Sequence, residues 1–417
     1  MHKRFEKLPK RLTISFPLWL IYGTPGEYSP YYDIEKAIIE HVERGFNCIR
    51  IDGGAGVMHD INGKPRKPFV LTDSFGDFEN VPRQQRILGD GGPVDLLERL
   101  IKTFELCKKH GVYVILSQWY YLHTYWSQKA GDPVADELFD IPVHERFSTF
   151  AKFWHYILLE LEKRDLDSQI AFVEIFNEVN DHPYRCGVEW DHAAKKNISA
   201  EEKALFKKEH EDAIDWLRER HPDMMFGYDT AFYGDDDDCL PKNADVYNFH
   251  SYYLWSLYGD TINEHPEWFN NKITPADVAK TREGRRPAQS DWYDRVALYN
   301  DMKPEVIPEV EKALEEKFIS ERATYVTKME KIATESVKNK LKIPTVCGEG
   351  VSYICSKKIL WEEHSDNFWG TVRQTLAKYK ELGVRGSVIR TCMGPEDQGW
   401  HLCKDKIREL NDFFLAE

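Results

Sequence analysis

Apolar positions along this chain fall into two alternating kinds of segment. Short continuous runs rich in Val, Ile, Phe and Tyr occur at 12–22, 48–52, 112–118, 170–176, 224–228, 246–250, 345–347 and 386–390. They are too short and too uninterrupted for surface helices, and read as strands buried on both faces. Between them lie amphipathic stretches at 34–44, 93–110, 143–164, 201–220 and 367–382. Three of these stop at a glycine (Arg44-Gly45, His110-Gly111, Leu382-Gly383), the residue best suited to the left-handed turn that ends a helix. Strands alternating with helices predict a parallel sheet, and eight such strands are enough to close a barrel. The expected fold is therefore α/β, a (β/α)8 barrel forming one catalytic domain over residues 1–417.

Two segments exceed plain connections. Residues 53–92 are rich in Gly, Pro and Asp. Residues 251–344 carry Tyr252, Tyr253, Trp255, Tyr258, Trp268, Phe269, Trp292 and Tyr293 before a charged helical run near 303–342. Both follow the carboxyl end of a strand, so both are expected as insertions over the catalytic face.

Composition narrows the class. A content of 42% hydrophobic residues excludes global disorder. With 56 Lys+Arg against 70 Asp+Glu the formal charge is −14, which argues against nucleic acid or an anionic membrane as partner. No stretch approaches the roughly 18 apolar residues of a membrane span, and the apolar start, broken by Ser15 and Pro17, precedes no small-residue cleavage site. The eight cysteines form no CxxC pair, so a reduced, cytoplasmic protein is expected. The acidic run Asp235–Asp238 lacks the glycine and glutamate of a calcium loop and reads as solvated.

In a parallel barrel, chemistry sits at the carboxyl ends of the strands. The second strand ends Arg50-Ile51-Asp52 and the third Gln118-Trp119. The fourth runs Glu174-Ile175-Phe176-Asn177-Glu178, the sixth Asn248-Phe249-His250-Ser251-Tyr252, and the seventh Gly348-Glu349-Gly350. Glu178 and Glu349 thus face each other across a barrel mouth. Glycosidic cleavage needs two such carboxyl groups, one to protonate the leaving oxygen and one to attack or stabilise the anomeric carbon. Asn177 supplies an amide suited to a sugar 2-hydroxyl. Arg50 and Tyr252 are candidates to hold Glu349 ionised, and His250 to orient the acid or touch the sugar. Trp119, Trp255, Trp361 and Trp400 offer flat faces for pyranose rings.

The segments "IFNEVND", "NFHSYY" and "VCGEGVSY" resemble the clan A retaining glycoside hydrolases, which include family 5 cellulases and mannanases, and most of all the cellulase-like proteins among them. The resemblance implies Glu178 as acid/base, Glu349 as nucleophile, and Arg50, Asn177, His250 and Tyr252 in support; Trp119 and Trp400 are expected as substrate contacts from their flat faces alone. It implies a carbohydrate substrate and no metal or other cofactor. The first strand has no histidine to begin a metal centre. Gln118-Trp119 stands where many family 5 enzymes have a histidine. An aromatic cover over the mouth favours short oligosaccharides or glycosides over intact polymer. The alternatives are a non-catalytic sugar-binding barrel and a transglycosylase on the same scaffold.

Overall fold

The computed structural model describes residues 2–26, 29–71, 92–119, 134, 137–138, 140–178, 199–230, 239–270, 302–338, 341–352, 359–391, 393–395 and 397–417. Eight parallel strands close a barrel: β1 (Leu12–Ser15), β2 (Cys48–Asp52), β3 (Tyr113–Ser117), β4 (Ile170–Glu174), β5 (Phe226–Thr230), β6 (Val246–Ser251), β7 (Thr345–Gly350) and β8 (Gly386–Val388). Each pairs with its sequence neighbours, and β8 returns to β1. The expected (β/α)8 architecture is the observed one. β1 stops earlier than its apolar run, because Pro17 has no N–H for the ladder and the chain turns into a short 3-10 helix, Leu20–Tyr22. β7 runs further than expected and carries Glu349 inside the strand.

The surrounding helices are α1 (Ile34–Glu43), α2 (Leu96–His110), α3 (Arg146–Glu162), α4 (Ala200–Arg220), α5 (Trp255–Asn263), α6 (Ile307–Val337), α7 (Asp366–Leu382) and α8 (Lys404–Leu415). Local chemistry sets their ends. Asp33, Asp95, Ser199 and Ser365 accept backbone N–H bonds at the starts of α1, α2, α4 and α7, with a full capping box at Ser199 and Glu202. Gly111 and Gly383 close α2 and α7 at φ 72° and 79°. The helix expected from residue 93 starts at Leu96, since Gly92–Val94 pairs instead with Phe69–Leu71 in an antiparallel ribbon.

Much of both expected insertions lies outside the described residues, as do Trp292, Tyr293, Asp235–Asp238 and the cysteines at 186, 355 and 392. The described part of the second insertion packs onto the barrel's helix layer: Tyr258 of α5 and Phe318 of α6 meet Trp361 edge-on at 5.9 and 5.3 Å. The remaining five cysteines are free thiols. No helix among the described residues is long and apolar enough to cross a membrane.

The barrel interior is layered. Its lower part is apolar, built from Ile14, Cys48, Phe172, Met225, Val246 and Val346, and Phe5 of the N-terminal turn packs into the same cluster. Continuing up the inward-facing positions by the strand period of two, the residues become polar: Arg50 after Cys48, Glu174 after Phe172, and Asn248 and His250 after Val246. The sequence thus builds a dry floor under a charged mouth.

Outside the barrel, His210 of α4 is buried and stacked on Phe147 at 4.4 Å, and neither ring nitrogen has a partner among the described residues. Burial pushes its pKa down to about 3. With the folded pKa below the unfolded one, stability is full above the unfolded value and falls as pH drops toward 3. His210→Phe should therefore gain on wild type by roughly 3 kcal/mol between pH 7 and pH 4. Parallel urea titrations at the two pH values check this, and a pH-independent difference would show that the ring charges freely in the fold.

Candidate active site

Arg50 is the centre of the mouth. It projects inward from β2, fully buried, and spreads its planar fork over four partners. Nε donates to Glu174 Oε2 at 3.1 Å and Nη1 to Glu349 Oε1 at 2.6 Å. Nη2 donates to Glu174 Oε2 at 2.7 Å, Asn177 Oδ1 at 2.7 Å and Asp229 Oδ2 at 2.8 Å. Trp119 lies 4.5 Å from the guanidinium, a cation–π contact. One side chain on β2 thereby gathers the ends of β4, β5 and β7.

Glu178 reaches the mouth through a turn. β4 ends at Glu174, the Asn177 N–H bonds Gln118 O at 2.9 Å, and Glu178 takes a left-handed φ of 46°, a conformation unfavourable to a residue with a Cβ. Its backbone N–H donates to Asp229 Oδ1 at 2.6 Å. Its Oε1 lies 2.6 Å from His250 Nδ1, whose other nitrogen is 3.0 Å from Asp229 Oδ2.

Glu349 arrives from the opposite side. The β6–β7 register shifts between Phe249 and His250, which sets His250 opposite Glu349. The Tyr252 hydroxyl donates to Glu349 Oε2, so both carboxylate oxygens are held. Gly348 makes the approach possible: its N–H bonds Asn248 Oδ1 at 2.7 Å, and a Cβ there would stand 2.4 Å from Asn248 Nδ2. One ligand-capable atom each from Glu178, His250 and Glu349 lie within 4.8 Å of one another.

The electrostatics follow from burial. Burial alone would lower the His250 pKa, but Asp229, Glu349 and Glu178 outweigh it and hold the imidazolium well above its ordinary value. Burial pushes Glu178 up to about 7, with the charges of Glu349 and Asp229 adding and His250 opposing. Asp229 goes the other way, its burial overcome by His250 and Arg50. Glu178, His250 and Glu349 have the spacing of a metal site, but both His250 ring nitrogens already face carboxylate oxygens, of Glu178 and Asp229, and Arg50 adds positive charge beside Glu349.

Of the expected site residues, Arg50, Asn177, Glu178, His250, Tyr252 and Glu349 are brought together. Asn177 Nδ2 is buried with no partner among the described residues. The two expected tryptophans are buried. Trp119 is fully buried, with Arg50 over its ring, and Trp400 packs against Phe46 (5.8 Å, near-parallel) and His41 (4.6 Å), with its Nε1 on Glu40 Oε2 at 2.8 Å. Neither presents an open face, and Trp361 is likewise buried. Trp255 is different: it is 45% exposed and stands edge-on to Tyr252 at 5.5 Å.

Sequence reasoning missed Glu174, Asp229 and Asn248. Their signal was present as polar side chains inside apolar strands, on the inward phase shared with His250. The expectation for Gln118 is also sharpened. Its Nε2 donates to Asp52 Oδ2 at 3.0 Å, beside the Trp119 N–H at 2.9 Å, and Tyr22 bonds the other oxygen. Burial pushes Asp52 up to about 7 despite these bonds.

A family model described as sugar-binding cellulase-like matches residues 18–283, more than half of the chain. The chain belongs to the cellulase-like family. That membership bears out the expected class, a glycoside hydrolase of the cellulase-like kind. The matched stretch carries Arg50, Asn177, Glu178, His250 and Tyr252 and ends before Glu349. No curated protein matches the chain. Among solved structures, a glycoside hydrolase described as putative, from Parabacteroides distasonis, superposes with TM-score 0.62 at 18% identity, covering 97% of this chain and 93% of that one. A family 5 glycoside hydrolase from Prevotella bryantii, bound to a xyloglucan tetradecasaccharide, gives 0.53 at 13% identity, with 99% of each chain covered. A broad-specificity endoglucanase from Clostridium longisporum gives 0.51 at 11% identity, again covering 99% of each chain. At these identities the likeness is one of fold.

Gly348→Ala tests the close approach. The added methyl must displace Asn248 from Glu174 and Asp229, both 2.7 Å from its Nδ2, and should destabilise by about 1–3 kcal/mol. Chemical denaturation measures this, and a neutral substitution would show that the Asn248 amide is free to move.

Proposed function

We propose that this protein is a retaining glycoside hydrolase that cleaves β-glycosidic bonds of oligosaccharides or glycosides by double displacement. The observation that carries the reading is the convergence of Glu178 and Glu349, from β4 and β7, to within 4.8 Å at their nearest ligand-capable atoms. Retaining enzymes hold their carboxyl groups about 5–5.5 Å apart, whereas inverting ones leave about 6.5–9.5 Å for a water.

In this reading Glu349, fixed by Arg50 and Tyr252, attacks the anomeric carbon while protonated Glu178 gives its proton to the departing oxygen. The ester that forms removes the charge of Glu349, so the pKa of Glu178 falls and it can take a proton from the incoming water. The Asn177 amide, beside Glu178, is the group assigned to the sugar 2-hydroxyl, a bond that strengthens toward the oxocarbenium-like transition state; its buried Nδ2, which has no partner among the described residues, must be uncovered to make it. The exposed Trp255 ring, beside Tyr252, supports a stacking platform for a neighbouring sugar.

Screening aryl β-glycosides and short β-linked oligosaccharides, with the product anomer followed by NMR, tests the reading directly. Glu349→Gln should abolish turnover. Glu178→Ala should be partly rescued by azide on an activated aryl glycoside, with a β-glycosyl azide as product. An inverted anomer, or near wild-type activity of Glu349→Gln, would remove the mechanism. Because Glu178 must be protonated to act and its pKa is about 7, kcat/KM should fall about tenfold per pH unit above neutrality. A profile flat to pH 9 would contradict the acid assignment.

A further inference from the structure

The proposed acid is tied down at both ends by one residue, Asp229, which no sequence motif singled out. Asp229 sits on the inward face near the end of β5 and is fully inaccessible as a side chain. Oδ1 accepts the Glu178 backbone N–H at 2.6 Å. Oδ2 faces His250 Nε2 at 3.0 Å, Arg50 Nη2 at 2.8 Å and Asn248 Nδ2 at 2.7 Å. His250 then meets Glu178 Oε1 through its other nitrogen at 2.6 Å, which closes a ring of hydrogen bonds from Asp229 through the imidazole and the Glu178 side chain back to Asp229.

We propose that Asp229 is the positioning residue of the acid/base glutamate, fixing the Glu178 backbone with one carboxylate oxygen and its carboxyl group, through His250, with the other. The inference rests on Glu178 being the acid. Two physical points carry it. Glu178 is held in a left-handed conformation unfavourable to a residue with a Cβ, so something must over-determine the turn, and the Asp229 bond to its N–H does so. The second is the donor count. Four N–H groups converge on Asp229 from both sides, and only a carboxylate accepts on both oxygens. An asparagine would have to aim its NH2 either at the Glu178 N–H or at the trio of His250, Arg50 and Asn248. Either orientation opens the ring.

The other supports survive such a change. Arg50 still holds Glu174 through Nε and Glu349 through Nη1, so the nucleophile keeps its partner. The loss should therefore fall on proton donation, and leaving groups report that step selectively. A dinitrophenyl group departs without a proton, whereas a phenyl group or a sugar needs one.

The test compares kcat/KM for dinitrophenyl and phenyl β-glycosides of the sugar that the wild-type protein accepts, using Asp229→Asn, Asp229→Ser and Glu178→Gln. For both Asp229 variants, the phenyl glycoside should lose about 100-fold or more while the dinitrophenyl glycoside stays within a few-fold of wild type. Losses of equal size on both substrates, or none on either, overturn the proposal. So does failure of both variants to show a cooperative melt, which would make Asp229 a folding residue. Glu178→Gln separates this inference from the reading beneath it. If that variant lacks the leaving-group signature, Glu178 is not the acid and both fall; if it alone shows the signature, only the role of Asp229 is lost.

Discussion

The structure of the mouth depends on one guanidinium buried away from solvent. Glu174, Asp229 and Glu349 point into the same small volume above an apolar floor, and three carboxylates there would repel one another and take up protons. Arg50 opposes this by meeting all three with a rigid fork, while its flat face rests on Trp119. A lysine ammonium at the same site is a point charge with three donors and has no plane to stack. Removing the cation would leave several buried charges uncompensated, which is far more costly than losing one surface pair.

From that constraint the ionisation pattern follows. Four carboxyl groups, counting Glu178, share two buried cations, Arg50 and His250, so the cluster has more acid than base. Among the described residues Arg50 meets Glu174, Asp229 and Glu349, and Glu178 meets His250; the cations hold Asp229 below its ordinary value, while burial raises Glu174 and pushes Glu178 up to about 7. Its side chain is also the one at the lip, 14% exposed against 0% for Asp229 and 6% for Glu349. An acid that is both protonated near neutrality and open to a ligand is what proton donation requires.

The barrel itself was legible, because the strands are mostly apolar runs and half of the named helices carry a side-chain cap (Asp33, Asp95, Ser199, Ser365); β2 matches its expected bounds residue for residue. The two glutamates were legible too, since strand ends are where a parallel barrel presents its chemistry. Glu174 and Asn248 stood inside the strand-end segments but were passed over for the residues beyond them, and Asp229, one residue past the expected fifth run, lies near the end of a strand whose polar residues were not weighed. A period-two count downward from His250 reaches Asn248 at once. The burial of the tryptophans was not legible for a different reason. A ring that lies on a guanidinium, as Trp119 does, and a ring wedged against Phe46 and His41, as Trp400 is, look the same in sequence as a ring open to sugar. Which face is covered is decided by residues tens or hundreds of positions away.

What no periodicity could supply is the distance between the two carboxyl groups, because strained turns set it. Glu178 is itself left-handed, and Val351, two residues beyond Glu349, has a φ of 67°, a severe departure for a β-branched side chain. Each turn is held by bonds from neighbouring strands. The Glu178 N–H goes to Asp229 on β5, the Val351 N–H to Ser251 O on β6 at 2.8 Å, and the Gly350 N–H to the Thr391 hydroxyl beyond β8 at 2.7 Å. Unfavourable backbone conformations survive only where the surroundings over-determine them. Here that over-determination sits on both arms of the site, so the gap between Glu178 and Glu349 is fixed by the closed barrel as a whole and not by either strand.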